Sequence, residues 1–375
     1  MLPNEWMPPL ETFARIAVVA LGVVLVLVTY LAAIRTFVLP RSARTLLTQT
    51  VFRLSYQVFR MFTRRAKSFE RTDSIMALYS PVTLLILPLV LLALLLTGFA
   101  LIYWGLGPFS LNDSIRISGS SLLTLGFFTS QDTGYLLIEF VEAAMGMILI
   151  AMLISYLPTM YNGFTRRETL VTLLEVRAGM PPSAVTMIQR AHRIQGLASL
   201  HDVWDDWEVW FAEVEESHTS LAPMVFFRSP QPSMSWVTAA GAVLDAAALT
   251  ISAVDIPHDP QADLTIRSGY LALRRISDFF GIEYEADPSP TDPISISRWE
   301  FDAALEELAE TGVPLKTDHD QAWRDYSGWR VNYDIVLLAL AALTIAPYAP
   351  WSSDRSRPSG LTRSGRKNLT PFRRR

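Results

Sequence analysis

The residues most able to do chemistry lie in one hydroxyl-rich stretch and on the apolar segment that follows it. The stretch SGSSLLTLGFFTSQD, Ser118–Asp132, joins two of the most apolar parts of the chain, and Glu139 and Glu142 come shortly afterwards. Lipid offers no hydrogen-bond partners, so polar side chains and irregular backbone at membrane depth must be buried in protein or line a water-filled cavity. Ionisable residues in such places mark ion or substrate pathways. This stretch is therefore the first candidate for a functional site.

The composition is that of a membrane protein. The chain has 375 residues, half of them hydrophobic, and a mean hydropathy of +0.27, which is unusual for a soluble domain. It contains no cysteine, which excludes a disulfide framework and thiolate metal sites. Its many arginines are accompanied by only three lysines, a bias that favours a bacterial source.

Three stretches are apolar enough to cross a membrane as helices, which takes about 20 residues. Ile16–Ile34 is uncharged, and it is too long for a signal peptide and lacks a small-residue cleavage site. Val82–Tyr103 is also uncharged, and its last residue forms with Trp104 an aromatic pair typical of the membrane interface. The third stretch carries the two glutamates. The sequence therefore predicts transmembrane helices at 15–39, 81–105 and 135–160.

The loop between the first two predicted spans is strongly basic. From Arg41 to Arg71 it holds eight Arg and Lys residues against Glu70 alone. The positive-inside rule places such a loop in the cytoplasm. Residues 1–14 and the hydroxyl-rich stretch are then expected outside a bacterial inner membrane, and the C-terminal half of the chain inside the cell.

Residues 41–72 of this loop have apolar side chains at helical spacing, with arginines between them. This pattern predicts an amphipathic helix that lies on the anionic lipids of the inner leaflet. A helix that packs on the protein's own cytoplasmic domain would show the same pattern, and both alternatives remain open at this stage.

The remainder of the chain predicts an acidic, all-helical cytoplasmic domain over residues 165–350, followed by a basic disordered tail at 351–375. Helical patterns recur through the domain and are broken by Pro and Gly. Between Leu200 and Asp320 it has 23 Asp and Glu against six Arg and Lys. This excess of negative charge argues against binding to nucleic acid.

Two local features of this domain can be predicted from its residues. Ser297 followed by Glu300 predicts a capping box at the start of a helix. The apolar run 335–346 ends at Pro347 and is too short to cross a membrane easily. It is therefore predicted to be a buried core helix, with a fourth span as the less favoured alternative.

Segment 109–132 has both ends on the outer side of the predicted membrane, so it can enter the bilayer only as a re-entrant loop. LNDS, from Leu111, offers a helix N-cap, Ile115–Leu123 provides about two turns of helix, and TLGFF is expected to be extended. The predicted fold is an all-α membrane protein with three transmembrane helices, one re-entrant pore loop and a helical cytoplasmic domain.

The sequence SSLLTLGFFTSQD, followed by a glycine-containing apolar helix, resembles the pore module of potassium channels, in which a pore helix runs into a filter of the form Thr-Val-Gly-Tyr-Gly-Asp. The resemblance is position-specific only from Ser121 to Phe127. The segments 81–105 and 135–160 match the family's outer and inner helices in placement and apolarity alone. The remainder of the chain lies outside the resemblance.

This resemblance implies a filter in which backbone carbonyls and a threonine hydroxyl replace the water around a dehydrated cation. Carried over onto this chain, the ion-coordinating residues are Thr124, Leu125, Gly126 and Phe127. Thr124 would supply its hydroxyl as well as a carbonyl, and Gly126 would adopt backbone conformations that other residues resist. The resemblance also implies a homotetramer, with one quarter of the filter from each chain, and a monovalent cation, K⁺ above all, as the conducted ion.

The outer end of the stretch departs from the family's pattern. Phe128 stands where the family has its second glycine, and Thr129 stands where it has aspartate. A phenylalanine resists the left-handed conformation that glycine adopts, so the pore mouth must differ, and Asp132 is a candidate for a displaced mouth acid. The competing interpretation is an ordinary polar outer loop with a chance TLGF.

Glu139 and Glu142 are three residues apart and share one face of the third predicted helix. They could hold the filter from behind, or line an outer vestibule and concentrate cations. Alternatively, they are solvated near the outer surface or pair with Arg116 of the pore helix.

The same helix contains two residues that could let it bend. Gly146 lies where inner helices of the family bend, and Pro158 could bend the cytoplasmic end, so both are candidate gating hinges. A glycine in a membrane helix can equally be a packing contact.

Together these features predict a cation channel subunit that conducts passively and is gated by its inner helix and its cytoplasmic domain, whose ligand is unknown. The alternative is a non-conducting, membrane-anchored signalling or scaffold protein with a degenerate pore loop, which Phe128 favours. The cytoplasmic region lacks G-x-G-x-x-G and Walker motifs, and the chain shows no recognisable Ser/His/Asp arrangement. Neither an enzyme activity, nor a cofactor, nor a metal site beyond the conducted ion is expected.

Overall fold

The computed structural model describes residues 9–39, 45–63 and 68–355, which within these ranges form helices and no strand. The prediction of an all-α protein is therefore confirmed. The α-helices of the described residues are α1 (Pro9–Phe37), α2 (Leu46–Thr63), α3 (Phe69–Ala77), α4 (Tyr79–Leu106), α5 (Leu111–Leu122), α6 (Thr133–Ala178), α7 (Ala184–Ile194), α8 (Leu200–Ser220), α9 (Trp236–Ala253), α10 (Pro260–Phe280), α11 (Arg298–Glu310), α12 (His319–Arg330) and α13 (Asp334–Thr344).

These helices belong to two compact units. The first combines the described parts of Met1–Val58 with Pro81–Met160, and the second combines those of Phe59–Ser80 with those of Tyr161–Arg375. Each unit is thus assembled from two separate stretches of the chain, and helices α2, α4 and α6 contribute residues to both.

In the first unit, α1 packs against α4 through glycines. A Cβ on Gly22 would lie 2.6 Å from the carbonyl oxygen of Gly98, and a Cβ on Gly98 would lie 2.7 Å from a methyl carbon of Val26. Real Cβ contacts are longer, so these positions require glycine. Small residues at helix crossings are typical of membrane proteins, because close backbone packing must replace the hydrophobic driving force that lipid removes.

Helix α5 contacts both α4 and α6. Its first turn is capped by Ser110, whose hydroxyl oxygen accepts from the N–H of Asp113 at 3.1 Å. Ser118 Oγ lies 3.0 Å from the carbonyl oxygen of Leu96 on α4. At its end, the carbonyl of Leu122 lies so close to Gly146 of α6 that a Cβ on this glycine would overlap it. The loop that follows α5 is thus positioned by two long helices.

By length and composition, four helices in the described part of the chain could cross a membrane: Thr12–Phe37, Phe69–Leu106, Thr133–Ala178 and Trp236–Ala253. They are consistent with a multi-pass membrane protein. The second and third contain the segments predicted as spans at 81–105 and 135–160, and the first covers residues 15–37 of the segment predicted at 15–39. The fourth is α9, which the sequence analysis did not predict as a span.

Helix α9 is buried along nearly its whole length within the second unit, where α7, α10, α12 and α13 pack around it. A helix that is apolar on every face lies in a protein core or in a membrane. The short apolar run near the C-terminus forms α13, whose apolar residues are also buried. The capping box predicted at Ser297 and Glu300 is present at the start of α11.

The core of the second unit contains a buried ionic network. Arg330 donates from Nη1 to both carboxylate oxygens of Asp245 at 2.6 Å, and from Nε to Asp334 at 2.8 Å. The hydroxyl of Tyr333 donates to Asp245 at 2.8 Å. All these groups are buried, so removing one partner would leave an uncompensated charge in the core and destabilise the fold. The network joins α9, α12 and α13.

Two helices differ from the predicted boundaries. The single helix predicted over 41–72 is replaced, within the described residues, by α2 and α3, because Ser68 forms a new N-cap whose side chain accepts from the N–H of Arg71. Helix α6 continues past the predicted end of the third span at residue 160 and stops before Gly179, which has φ +81°.

The chain termini also differ from the predicted boundaries. Helix α1 already begins at Pro9, inside the predicted external segment 1–14. At the other end, Arg355 pairs with Glu300 at 3.0 Å, so the predicted tail begins with folded residues. Residues 1–8 and 356–375, on which the remaining predictions for the two termini fall, lie outside the described residues.

Candidate pore loop

The chain leaves the helical conformation directly after α5. Thr124 has φ +53° and Gly126 has φ +70°. A Cβ on Gly126 would meet no atom within 4 Å, so the backbone conformation, and not crowding, requires glycine there. Thr124 adopts a left-handed conformation that is uncommon for a β-branched residue, and its hydroxyl donates to the carbonyl of Leu123 at 2.8 Å.

Ser120 of α5 holds the backbone of this segment. Its carbonyl oxygen accepts from the N–H of Leu125 at 2.8 Å and, more weakly, from that of Gly126 at 3.4 Å. Its hydroxyl oxygen accepts from the N–H of Phe128 at 3.0 Å. Ser120 itself is buried. Three N–H groups of the loop therefore point towards one residue of α5.

The direction of these N–H groups fixes the direction of the carbonyls. In a planar trans peptide the N–H and the C=O of the preceding residue point in opposite directions. The carbonyls of Thr124, Leu125 and Phe127 therefore point away from Ser120. In the same segment Leu125 is 58% and Phe127 67% exposed. Backbone carbonyls that point away from the supporting helix are what a backbone cation site needs.

Glu142 of α6 is fully buried. The hydroxyl of Tyr103 on α4 donates to one of its carboxylate oxygens at 3.0 Å, and the hydroxyl of Ser118 donates to the other. This carboxylate thus joins α4, α5 and α6. A buried carboxylate is tolerated only where donors surround it, and here the donors come from both neighbouring helices.

Glu139, one turn earlier, binds the outer end of the loop. Its carboxylate accepts from the hydroxyl of Thr129 at 2.6 Å and from the backbone N–H of Ser130 at 2.8 Å. It is 5% exposed. Glu139 therefore binds the loop itself, whereas Glu142 binds the helices α4 and α5 that flank it. Arg116, considered above as their partner, instead places its guanidinium 5.5 Å from the centre of the Phe128 ring.

Comparisons of the chain with known protein families, with curated proteins and with solved structures find no match. The assignment of these residues therefore depends on their own geometry.

The remaining predicted site residues lie around this core. Phe128 is half-buried, and Asp132 is exposed and accepts from the N–H of Gly134 at 2.7 Å, which caps the start of α6. Helix α6 continues without interruption through Gly146 and Pro158. Gly146 makes the close contact with α5 described above, and its role as a hinge remains a prediction.

Two important residues were missed by sequence reasoning. In the sequence, Ser120 is one of several hydroxyl residues. Its role as acceptor for the loop N–H groups becomes visible only in the structure, where the chain turns back against α5. Tyr103 was assigned to the membrane interface, but it is fully buried, whereas its neighbour Trp104 is 42% exposed. A tyrosine in an uncharged helix, opposite a glutamate in the next helix, is the signal that could have identified this pair.

Proposed function

We propose that four copies of this chain form a cation channel, in which Thr124–Phe127 of each copy lines the path of a monovalent cation, K⁺ above all. The observation that carries the proposal is the set of three N–H groups turned towards Ser120, because it turns the carbonyls of Thr124, Leu125 and Phe127 away from α5. One such loop per chain can supply a quarter of a four-fold filter. Conduction would be passive.

The proposed topology has three spans, at 15–39, 81–105 and 135–160, and a re-entrant pore loop at 109–132. The proposed location is a bacterial inner membrane, and the positive-inside rule supports a cytoplasmic side for the basic loop and the domain 165–350. Helix α9 is assigned to the core of that domain, because its apolar faces are already covered by other helices.

Helix α2 supports a contact with the anionic lipids of the inner leaflet. Phe52 and Tyr56 are buried on one side of this helix. Its exposed apolar residues are Leu46, Leu54, Val58, Met61 and Phe62. An exposed apolar face on an arginine-containing helix is suited to the boundary between headgroups and acyl chains.

Gating is assigned to α6, with Gly146 and Pro158 as candidate hinges and the cytoplasmic domain as the sensor of an unidentified ligand. The chain has no arginine-repeat voltage sensor, so steep voltage dependence is not expected.

A non-conducting signalling or scaffold protein is the second candidate. It is favoured by Phe128, whose ring lies under the guanidinium of Arg116 at the outer end of the loop. A bulky ring and a positive charge at this place both oppose the entry of cations.

The deciding experiment is ion flux into liposomes that contain the purified tetramer, in K⁺ and in Na⁺. We expect Gly126→Ala to abolish flux, because alanine disfavours φ +70°, and Phe128→Gly to raise the K⁺ to Na⁺ ratio. Gly196→Ala is the matched control, since Gly196 has φ +85°, equally open surroundings and a position outside the loop. Absence of flux from well-folded tetramers, in both ions and every variant, would establish the scaffold alternative.

A further inference from the structure

One short segment of the second unit holds two helices that the proposed pore depends on. This coupling segment, Ala222–Arg228, consists of the 3-10 helix Ala222–Phe226 and the two residues after it, and it connects α8 with α9. Within the second unit it contacts the residues that lead into α4 and also the cytoplasmic part of α6.

The first set of contacts lies where α3 is followed by α4. Arg228 forms an ion pair with Asp73 of α3, and both side chains are about nine-tenths buried. Ser80 Oγ donates to the carbonyl of Pro223 at 3.1 Å. The rings of Tyr79 and Phe226 meet edge to face, with centroids 5.4 Å apart. Tyr79 and Ser80 are fully buried, so the start of α4 is fixed to the coupling segment.

The second set of contacts lies on α6, beyond its predicted membrane-spanning part. Arg167 is buried and donates to the carbonyls of Met224 at 2.9 Å and Phe227 at 2.7 Å. The ring of Phe164 lies 5.7 Å from that of Phe227. A guanidinium that satisfies two carbonyls of one segment holds it more rigidly than apolar packing alone, because the donors have a fixed planar geometry.

The coupling segment is also tied to the rest of the cytoplasmic domain. Trp236 of α9 donates from Nε1 to the carbonyl of Val225 at 3.0 Å. Arg228 donates from Nη2 to the carbonyls of Thr344 and Ile345 at the end of α13, at 2.7 and 3.2 Å. A displacement of α9 or α13 therefore acts directly on this segment.

We propose that the coupling segment transmits movements of the cytoplasmic domain to α4 and α6 together, and that Arg167 and Arg228 are positioning residues for the proposed gate. The inference rests on the proposed function, in which α4 and α6 are the outer and inner helices of the pore. Buried, close-packed contacts change little in length under load, and α6 is one continuous helix from Thr133 to Ala178. Moving the segment therefore shifts both helices rather than one.

The first test does not need a conducting pore. Hydrogen exchange is measured on the full-length protein in lipid nanodiscs, for the wild type and for Asp73→Asn, which weakens the ion pair with Arg228 and touches α3 alone. We expect amide exchange in residues 161–167 of α6 to rise about tenfold, since the loss of a charge-assisted bond lowers the cost of local opening. Glu70→Gln, an exposed position on the same helix, is the matched control and should leave α6 unchanged.

An increase in exchange that is confined to α3 and the start of α4 would overturn the proposal, because it would show that the two helices are held independently. Ser80→Ala provides a second variant in case Asp73→Asn does not fold. It removes one neutral hydrogen bond to Pro223, so the same pattern should appear with a smaller increase.

The second test measures single channels of the wild type, Asp73→Asn and Arg228→Lys in planar bilayers. We expect the open fraction of Asp73→Asn to differ at least about threefold from that of the wild type. Arg228→Lys keeps the positive charge, so its open fraction should differ less. Unitary conductance and the K⁺ to Na⁺ ratio should stay constant in both variants. A changed conductance, or an unchanged open fraction, would contradict a positioning role. If the wild type does not conduct, the proposed function fails, and the exchange experiment alone decides whether the two helices are coupled.

Discussion

Single side chains join the helices around the candidate pore loop through a few directed hydrogen bonds. Glu142 illustrates this, because its carboxylate is fully buried and takes its donors from Tyr103 and Ser118 on two different helices. Removing one donor leaves a buried acceptor without a partner, which costs more than the hydrogen bond itself contributes.

Tyr103→Phe should therefore lower the stability of the protein by about 1–3 kcal/mol. The midpoint of thermal unfolding in detergent should fall by a few degrees. Tyr135→Phe is the matched control, since the Tyr135 hydroxyl donates at 3.2 Å to the carbonyl of Leu106 in a more exposed place. Equal shifts for both variants would show that Glu142 does not depend on Tyr103.

At the scale of elements, the relation between α5 and α6 decides where the loop begins. Gly146 allows the carbonyl of Leu122 to approach α6, and α5 then places Ser120 against the loop. The same glycine is a candidate hinge. The packing and hinge roles make different demands, because a hinge needs flexibility whereas the contact needs only the absence of a side chain.

Gly146→Ala should displace the end of α5, since the new Cβ would overlap the backbone of Leu122. Overpacking of this kind costs about 1–3 kcal/mol, and both thermal stability and ion selectivity should decrease. In Gly119→Ala, the added Cβ would have an ordinary contact 3.7 Å from Leu96, so this helical control should be tolerated. Normal stability and selectivity with altered gating alone would support the hinge instead.

Sequence reasoning located elements that depend on local pattern and missed those that depend on tertiary contacts. The apolar runs in α1, α4 and α6 and the capping box at Ser297 are local, because a helix or a cap is specified by residues close in the chain. The bonds of Ser120 exist only because the chain turns back on α5. The burial of α9 likewise depends on four neighbouring helices, and composition alone makes it a candidate span.

At the scale of the whole molecule, the second unit carries a histidine that must remain neutral. His218 is fully buried, and its Nε2 lies 3.3 Å from Nη1 of Arg167. Arginine can only donate, so this nitrogen must accept. Burial, followed by the charge of Arg167, holds the pKa of His218 well below its usual value of 6.5.

This depressed pKa predicts that acid destabilises the protein. Below about pH 6.5 the unfolded chain gains a proton at His218 that the folded protein excludes, so stability falls by up to about 1.4 kcal/mol per pH unit. His218→Gln should remove this part of the pH dependence when thermal unfolding is followed from pH 7.5 to 5. His201→Gln, at an exposed position, is the control and should lose stability with falling pH as the wild type does. Identical stability profiles for the wild type and His218→Gln would refute the assignment of this pH dependence to His218.

The second unit is discontinuous in sequence, and this has a consequence for biosynthesis. Asp73 and Arg228 are 155 residues apart, and Arg167 and Met224 are 57 apart. A ribosome that adds about 5–20 residues per second therefore delivers the proposed membrane helices several seconds before the residues that clamp them. Newly inserted subunits would pass through a stage in which α4 and α6 are in the bilayer but not yet held at their cytoplasmic ends. This stage of the proposed pore would end only when α8, α9 and α13 have been translated.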